Sequence, residues 1–280
     1  MKFAVNVPNF GTFADPIFFR DLAVATEAGG WDGLFIWDHI LTTRDLPVAD
    51  PWILLAAAAT ATHRIRLGPM VTPLPRRRPW KVARETVTLD HLSGGRVMLG
   101  VGIGDDWMGE FSALGEPQSD VQRGEMLDEG LTVLDGLWRG EPFSFNGKHY
   151  KLRDVQFLPR PVQKPRIPIL VAGRWPNPRP FRRAARWDGV VPVGRVGILT
   201  PDDCRSIVET VQAARETSDP FEVMVVKSWI PDSTEKCRAA AEFASAGATW
   251  MQFGFPQSSP PEDVLDAVRS GPPKVDGGQA

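Results

Sequence analysis

Short apolar runs alternate with amphipathic stretches from one end of the chain to the other. Runs rich in Val, Ile, Leu or Phe, bounded by Gly, Pro or Asp, predict strands at Lys2–Val7, Gly33–Trp37, Ile65–Val71, Arg96–Val101, Ile167–Ala172, Asp188–Val193, Phe221–Trp229 and Thr249–Gly254. Between them, periodic stretches predict helices near Asp15–Ala28, Asp50–Thr62, Trp80–Leu92, Val121–Trp138, Pro178–Arg186, Pro201–Thr217, Ser233–Ala246 and Pro261–Arg269. Asp15-Pro16 and Thr200-Pro201 each place an N-cap before a first-turn proline. Eight strands, each followed by a helix, predict the α/β class and a (β/α)8 TIM barrel. Residues 1–270 read as one barrel domain and 271–280 as a flexible tail.

Two regions interrupt the alternation. Gly104–Ser119 is a long polar loop insertion after the fourth strand, with Trp107 and Phe111 embedded, and reads as a lid over the barrel mouth. Phe143–Tyr150 alternates around Asn146-Gly147 and predicts a small β-hairpin before the fifth strand. The proline-rich connector Leu158–Pro165 is too poor in N–H donors to be a barrel element.

Composition narrows the function classes. A chain of 280 residues can bury a full core, and a net charge of -2 gives no reason to expect nucleic acid or an anionic membrane as partner. Two cysteines do not make a disulfide framework, the N-terminus is too short and polar for a signal peptide, and no apolar run is long enough to span a bilayer. A cytoplasmic protein acting on a small molecule is the expectation. The four histidines are scattered without metal-ligand spacing, so no metal is expected.

The second predicted strand ends in Trp37-Asp38-His39, which puts a carboxylate and an imidazole at a carboxyl end, where parallel α/β proteins do their chemistry. Imidazole gives or takes a proton near neutral pH, and a carboxylate fixes its tautomer. A capping Asp with a surface His is the structural alternative. The same dipeptide recurs as Asp90-His91 near a helix end, where it reads as structural, with His91 supporting the helix C-terminus.

Gly100-Val101-Gly102-Ile103-Gly104 follows an apolar strand and suits close backbone approach to a flat ligand better than a dinucleotide fold. Asp105 and Asp106 come next, and Asp105 is the candidate acid. Gly173-Arg174 and Gly194-Arg195, on consecutive strand ends, combine amide donors with a guanidinium and suggest a phosphate site. Arg76-Arg77-Arg78 reads first as a solvated loop and second as an anion-binding rim. Lys227 would suit a Schiff-base lyase if it pointed inward.

These residues together resemble the bacterial luciferase-like family of flavin- and deazaflavin-dependent oxidoreductases. The resemblance runs from Lys2 to about Arg269. It is carried by Gly30–Gly33 leading into Trp37-Asp38-His39, by Leu67–Pro73, by Leu89–Arg96 running into Leu99–Gly104, and by Leu137–Gly140, Leu158–Gln163 and Ile169–Gly173. It implies a barrel with the cofactor ring in its carboxyl-end mouth, a non-proline cis peptide between Met70 and Val71, and homodimers. It implies cofactor contacts from Asp38, Met70, Val71, Gly102 and Gly104, and phosphate contacts from Gly173, Arg174, Gly194 and Arg195.

Members that use coenzyme F420 carry Asp-His at the second strand end and an acid after the fourth-strand glycines, matching Asp38-His39 and Asp105. The resemblance therefore implies hydride transfer between F420 and a small organic substrate. In that pattern His39 is the proton relay, Asp38 the ring or orienting partner, and Asp105 the acid. Asn9, Trp37, Trp107 and Trp175 are the expected pocket walls. The alternatives are an FMN-dependent monooxygenase on the same barrel and a flavin-binding barrel without turnover. The sugar-phosphate dehydrogenase branch carries a tryptophan shortly after Asp-His, where this chain has Ile40-Leu41-Thr42-Thr43, and a glutamate where it has Asp105. That departure argues against a sugar-phosphate substrate.

Overall fold

The computed structural model describes residues 1–42, 45–194 and 199–274. Its strands are β1 (Lys2–Val7), β2 (Gly33–Ile36), β3 (Arg66–Pro69), β4 (Thr72–Pro73), β5 (Leu99–Gly102), β6 (Phe143–Asn146), β7 (Lys151–Val155), β8 (Ile169–Arg174), β9 (Gly189–Val193), β10 (Glu222–Ser228) and β11 (Trp250–Gly254). Its α-helices are α1 (Pro16–Ala28), α2 (Pro51–Ala61), α3 (Pro79–Ser93), α4 (Asp120–Trp138), α5 (Pro178–Ala184), α6 (Pro201–Ala214), α7 (Ser233–Ser245) and α8 (Pro261–Arg269).

All strands except β6 and β7 lie in one parallel sheet, ordered β3-β2-β1-β11-β10-β9-β8-β5-β4. Its two ends belong to one stave. The expected third strand is divided at the Met70–Val71 peptide, which is cis, as the resemblance implies. A parallel bridge between Leu67 and Val97, with the Met98 amide donating to the Leu67 carbonyl at 2.9 Å, closes the barrel. Close strand approach depends on two glycines. A Cβ at Gly68 would lie 1.8 Å from the Met98 carbonyl oxygen, and one at Gly100 would lie 2.6 Å from both the Met70 sulfur and the Pro69 carbonyl oxygen.

Strand alternation sorts the core into two shells. Ala4, Phe35, Leu170, Val191, Met224 and Trp250 fill the barrel interior. Val5, Leu34, Val171, Val190 and Val225 face the helices, in the larger cluster. Removing each such side chain from water stabilises the fold by roughly 1.5–3 kcal/mol. The same parity settles Lys227. It follows Val225 on the outer face, and its Nζ lies 5.5 Å from the centre of the Phe243 ring on α7. The inward lysine that a Schiff-base enzyme needs is therefore not there.

The predicted caps form: the Asp15 carboxylate accepts amide hydrogens in the first turn of α1, and Thr200 Oγ1 accepts the Asp203 amide at the start of α6. Asp50 and Asn177 cap α2 and α5 in the same way, each ahead of an N1 proline. The predicted hairpin is present as β6 and β7, but its turn differs. Asn146 pairs with Lys151, so the loop is Gly147–Tyr150 and not a two-residue Asn-Gly turn. The Glu129 carboxylate on α4 draws the loop open by accepting the amides of Lys148, His149 and Tyr150 at 2.8, 2.9 and 3.0 Å.

The tail expectation also needs correction for its described part. Pro273 is buried, and the Cys237 thiol donates to the Lys274 carbonyl at 3.4 Å, so residues 271–274 pack against the barrel. The remaining tail positions, 275–280, and Arg195 lie outside the described residues. Among the described residues, no helix is long and apolar enough to cross a membrane.

Candidate active site

The carboxyl ends of β1 and β2 are pinned together by Asn9. Its Nδ2 donates to the His39 and Ala49 carbonyls, both at 2.7 Å, and its Oδ1 accepts the His39 amide at 3.1 Å. Asn9 is fully buried. With its amide engaged by backbone, it holds the strand end in place.

Beyond Ile36 the chain turns, and Asp38 and His39 point into different surroundings. The Asp38 side chain is fully buried in a cage of donors. Thr72 Oγ1 donates to Oδ2 at 2.8 Å, Arg77 Nε donates to the same oxygen at 2.9 Å, and Arg77 Nη2 donates to Oδ1 at 2.8 Å. This is a two-point guanidinium–carboxylate pair. Arg76 Nη2 adds a bond to the Asp38 carbonyl at 2.7 Å. Burial works against the Arg77 charge, but the Asp38 carboxylate outweighs it and holds the guanidinium above its ordinary value. Asp38 thus binds the chain just past the cis Met70–Val71 bond to the end of β2. Arg76 and Arg77 turn inward, against the expectation of a solvated loop, because two buried carboxylates require cations.

The second carboxylate is Glu110, from the loop between β5 and α4. It is 2% exposed. Its Oε2 accepts from His39 Nδ1 at 2.9 Å, its Oε1 accepts the Ile40 amide at 2.6 Å, and Arg76 Nη1 lies 2.9 Å from Oε1. Burial pushes the Glu110 carboxyl upward, yet the His39 ring, the Ile40 amide and Arg76 more than offset it, so it lies below its ordinary value of 4.5. A carboxylate at Nδ1 fixes the proton there and leaves Nε2 as the basic nitrogen of the neutral ring. The ring is half-enclosed by aromatic edges: Phe10 at 5.7 Å, Trp37 at 5.9 Å and Trp107 at 6.4 Å between centres. Trp107 itself is 62% exposed, at the outer edge of the loop.

Asp105 is placed elsewhere. It is exposed and pairs with Arg174 Nη2 at 3.0 Å, bridging the ends of β5 and β8. Among the described residues it makes no contact with His39. Gly173-Arg174 and Gly194 are brought together, because β8 and β9 pair in register with Gly173 opposite Pro192 and Arg174 opposite Val193. Trp175 is half-buried, edge-on to Phe181 at 5.4 Å. Met70 is buried against the barrel interior. Gly104 has a φ of +78°, and a Cβ there would lie 2.7 Å from the Phe111 ring, so only glycine lets the loop fold down onto Arg76.

Sequence reasoning missed Glu110 and Thr72, and it read Arg76 and Arg77 as a solvated loop or an anion-binding rim and not as partners of buried carboxylates. A signal for Glu110 was present, because an acid two residues past Met108 sat within the segment already read as a lid. Asp105 lay nearer the glycines and took its place.

The mouth has a low floor. A Cβ at Gly102 would meet nothing nearer than Val71 Cγ2 at 3.3 Å and the Ala172 Cβ at 3.5 Å. A Cβ at Gly254 would meet nothing nearer than the Asn6 carbonyl oxygen at 3.4 Å. Beneath it, on the inner faces of β1 and β11, Asn6 Oδ1 and both amide atoms of Gln252 are buried without partners among the described residues. Small residues over unpaired amides suit a flat group with a polar edge.

The sequence profile of the luciferase-like monooxygenases matches residues 1–269. The chain belongs to that family. An uncharacterized protein of Mycobacterium tuberculosis is 32% identical to this luciferase-like chain over 233 residues, covering 76% of it and 77% of the relative. An F420-dependent glucose-6-phosphate dehydrogenase of Beutenbergia cavernae is 38% identical over 167 residues, which cover 56% of the luciferase-like chain and 48% of the dehydrogenase. Among solved structures, an F420-dependent secondary alcohol dehydrogenase with an F420–acetone adduct superposes with a TM-score of 0.81 at 18% identity, covering 96% of this chain and 97% of that one. The FMN-bound oxygenating component of 3,6-diketocamphane monooxygenase from Pseudomonas putida superposes with a TM-score of 0.68 at 20% identity, over 88% and 73%. At these identities the superpositions speak for the barrel fold.

Proposed function

We propose that this luciferase-like oxidoreductase binds coenzyme F420 in the barrel mouth and moves hydride between it and a small organic substrate. The observation that carries this reading is the His39–Glu110 pair, a proton-handling imidazole anchored by a buried carboxylate at the mouth. The F420-dependent naming of the Beutenbergia relative and of the alcohol dehydrogenase neighbour supports the choice of cofactor.

The residues present suit such a group. The floor of Val71, Gly102 and Ala172 accepts a flat ring, Asn6 and Gln252 offer amides to a polar edge, and Gly173, Arg174 and Gly194 offer donors to a phosphate. When bound, a deazaflavin supplies hydride chemistry. The chain supplies the rest. Glu110 holds His39 Nδ1–H, so Nε2 takes a proton from a substrate hydroxyl or, once protonated, returns it to a carbonyl oxygen. Trp37 and Trp107 exclude water around that nitrogen. Asp38 acts through Arg77 and Thr72, as a positioning residue. In this reading Glu110 is the carboxylate that works with His39, and the Asp105–Arg174 pair forms the polar rim.

The test is a titration of the purified protein with F420 and with FMN, followed by fluorescence, and then single-turnover reaction of the loaded protein with alcohols and ketones. Saturable F420 binding and cofactor oxidation or reduction with a substrate are expected. Tight FMN binding with no measurable F420 binding would overturn the assignment in favour of the monooxygenase reading.

A further inference from the structure

Outside the barrel mouth, a cavity of about 230 Å³ lies between the loop after β4, the start of α4 and the turn of the hairpin. Arg76, Arg77, Arg78, Glu116, Met126 and Tyr150 line it. It is smaller than the pockets that hold drug-sized ligands, roughly 300–1,000 Å³, and several times the ~30 Å³ share of one water. A small polar ligand fits that size.

The wall groups differ in how fully they are engaged. Arg76 and Arg77 face Asp38 and Glu110 on their far side and are neutralised there. Arg78 is exposed at the N-cap position of α3 and rests 5.9 Å from the centre of the Trp80 ring. Neither Arg78 nor Glu116 forms an ion pair among the described residues. Tyr150, the chain's single tyrosine, is 2% exposed, and its phenolic oxygen has no partner among the described residues. Burial pushes that phenol up to about 12, so it stays protonated and can only be satisfied by an acceptor or a water.

An unpaired guanidinium and an unsatisfied hydroxyl donor ask for an oxyanion. The unpaired Glu116 carboxylate in the same wall repels one, unless the anion brings a hydrogen of its own. We propose that this cavity is a binding site for a small protonated oxyanion of the hydrogen phosphate type, with Arg78 and Tyr150 as donors and Glu116 as the acceptor of its P–OH. Glu116 then acts as a filter. Phosphate keeps at least one hydroxyl at neutral pH, whereas sulfate has none and meets the carboxylate as a bare anion. Because Arg76 and Arg77 line this cavity and also hold Asp38 and Glu110, the site lies one guanidinium layer behind His39.

The experiment is calorimetric titration of the full chain, at neutral pH and low salt, with inorganic phosphate and separately with sulfate. Wild type is expected to show a saturable phosphate site that persists in Arg174→Gln, with sulfate binding there weaker by about tenfold or more. Arg78→Gln is expected to weaken phosphate about tenfold or more, and Glu116→Gln to bring sulfate close to phosphate. Tyr150→Phe, which keeps the packing against Trp80, is expected to weaken phosphate several-fold. Arg174→Gln removes the strand-end guanidinium, so it takes away any phosphate bound at β8 and β9 and is expected to leave the component that depends on Arg78 unchanged. Absence of saturable phosphate binding, sulfate binding as tight as phosphate, or binding that survives Arg78→Gln and vanishes in Arg174→Gln each overturns the proposal. Arg78 is exposed and Glu116 half-buried, and melting curves that overlay wild type identify folded variants. The outcome is independent of which redox cofactor the mouth binds.

Discussion

The dipeptide Asp-His occurs at 38–39 and again at 90–91, and the two copies share a division of labour in different settings. Both aspartates are buried. Asp90, on α3, accepts the amides of Val162 and Gln163 at 2.8 and 3.1 Å and the Gln163 side chain at 2.7 Å. His91 donates from Nε2 to the Arg160 carbonyl at 2.7 Å. That copy clasps the proline-rich connector, and His91 reaches the connector instead of its own helix end. Asp38 meets guanidinium groups where Asp90 meets neutral amides. His39 meets a carboxylate where His91 meets a carbonyl. A carbonyl only accepts a hydrogen bond from the imidazole N–H, whereas a buried carboxylate also stabilises the ring when it becomes charged. The neighbours of the dipeptide, and not the dipeptide, fit one copy for the proton-relay role proposed above and make the other a staple.

The sharpest way to break this comparison is to remove both imidazoles in turn. His39→Ala is expected to lower hydride-transfer rates by about 10²–10⁴-fold while leaving the fold intact. His91→Ala is expected to leave the rate unchanged and to cost about 1 kcal/mol of stability. Equal rate losses in stopped-flow assays of the two variants would erase the distinction.

Asp38→Ala is expected to destabilise the protein by about 3–5 kcal/mol in urea denaturation, because it strands buried arginine charge. Asp90→Ala removes hydrogen bonds between a carboxylate and neutral donors and is expected to cost about 1.5–3 kcal/mol. If the order reverses, the guanidinium cage around Asp38 is not the stronger of the two settings.

Glu110→Gln tests the anchor itself. Without the carboxylate the Nδ1 proton loses its fixed partner, and a rate loss on the order of 10²-fold is expected with binding of the cofactor preserved. Stability carries a smaller signature. The folded Glu110 carboxyl lies below its unfolded value, so it stabilises the fold above about pH 4.5, and that contribution is lost as pH falls through the depressed value. Thermal melts of wild type are expected to fall more steeply than those of Glu110→Gln below pH 4.5. Parallel curves would remove Glu110 from the acid response.

Much of this was legible in the chain. Strands bounded by Gly, Pro and Asp announce the barrel because parallel strands buried on both faces must be apolar throughout, and the Asp15-Pro16 and Thr200-Pro201 steps announce helix starts. His39 was legible because it ends such a strand. The Glu110 anchor was not, because it pairs across 71 positions from a loop without periodicity. Arg76 and Arg77 look like surface residues in any local window; only the burial of Asp38 and Glu110 draws them inward. Lys227 shows the opposite failure, a suggestive residue whose strand parity turns it toward a helix.

The loop between β5 and α4 delivers Glu110 to the imidazole and, through the Ile40 amide, to the backbone beside it. The same segment brings the Trp107 ring to 6.4 Å from the His39 ring. Any movement that lifts this loop to admit a ligand therefore withdraws the counter-charge from His39 in the same stroke. For the base proposed above, access and reactivity would then exclude each other: an open entrance leaves His39 without its carboxylate.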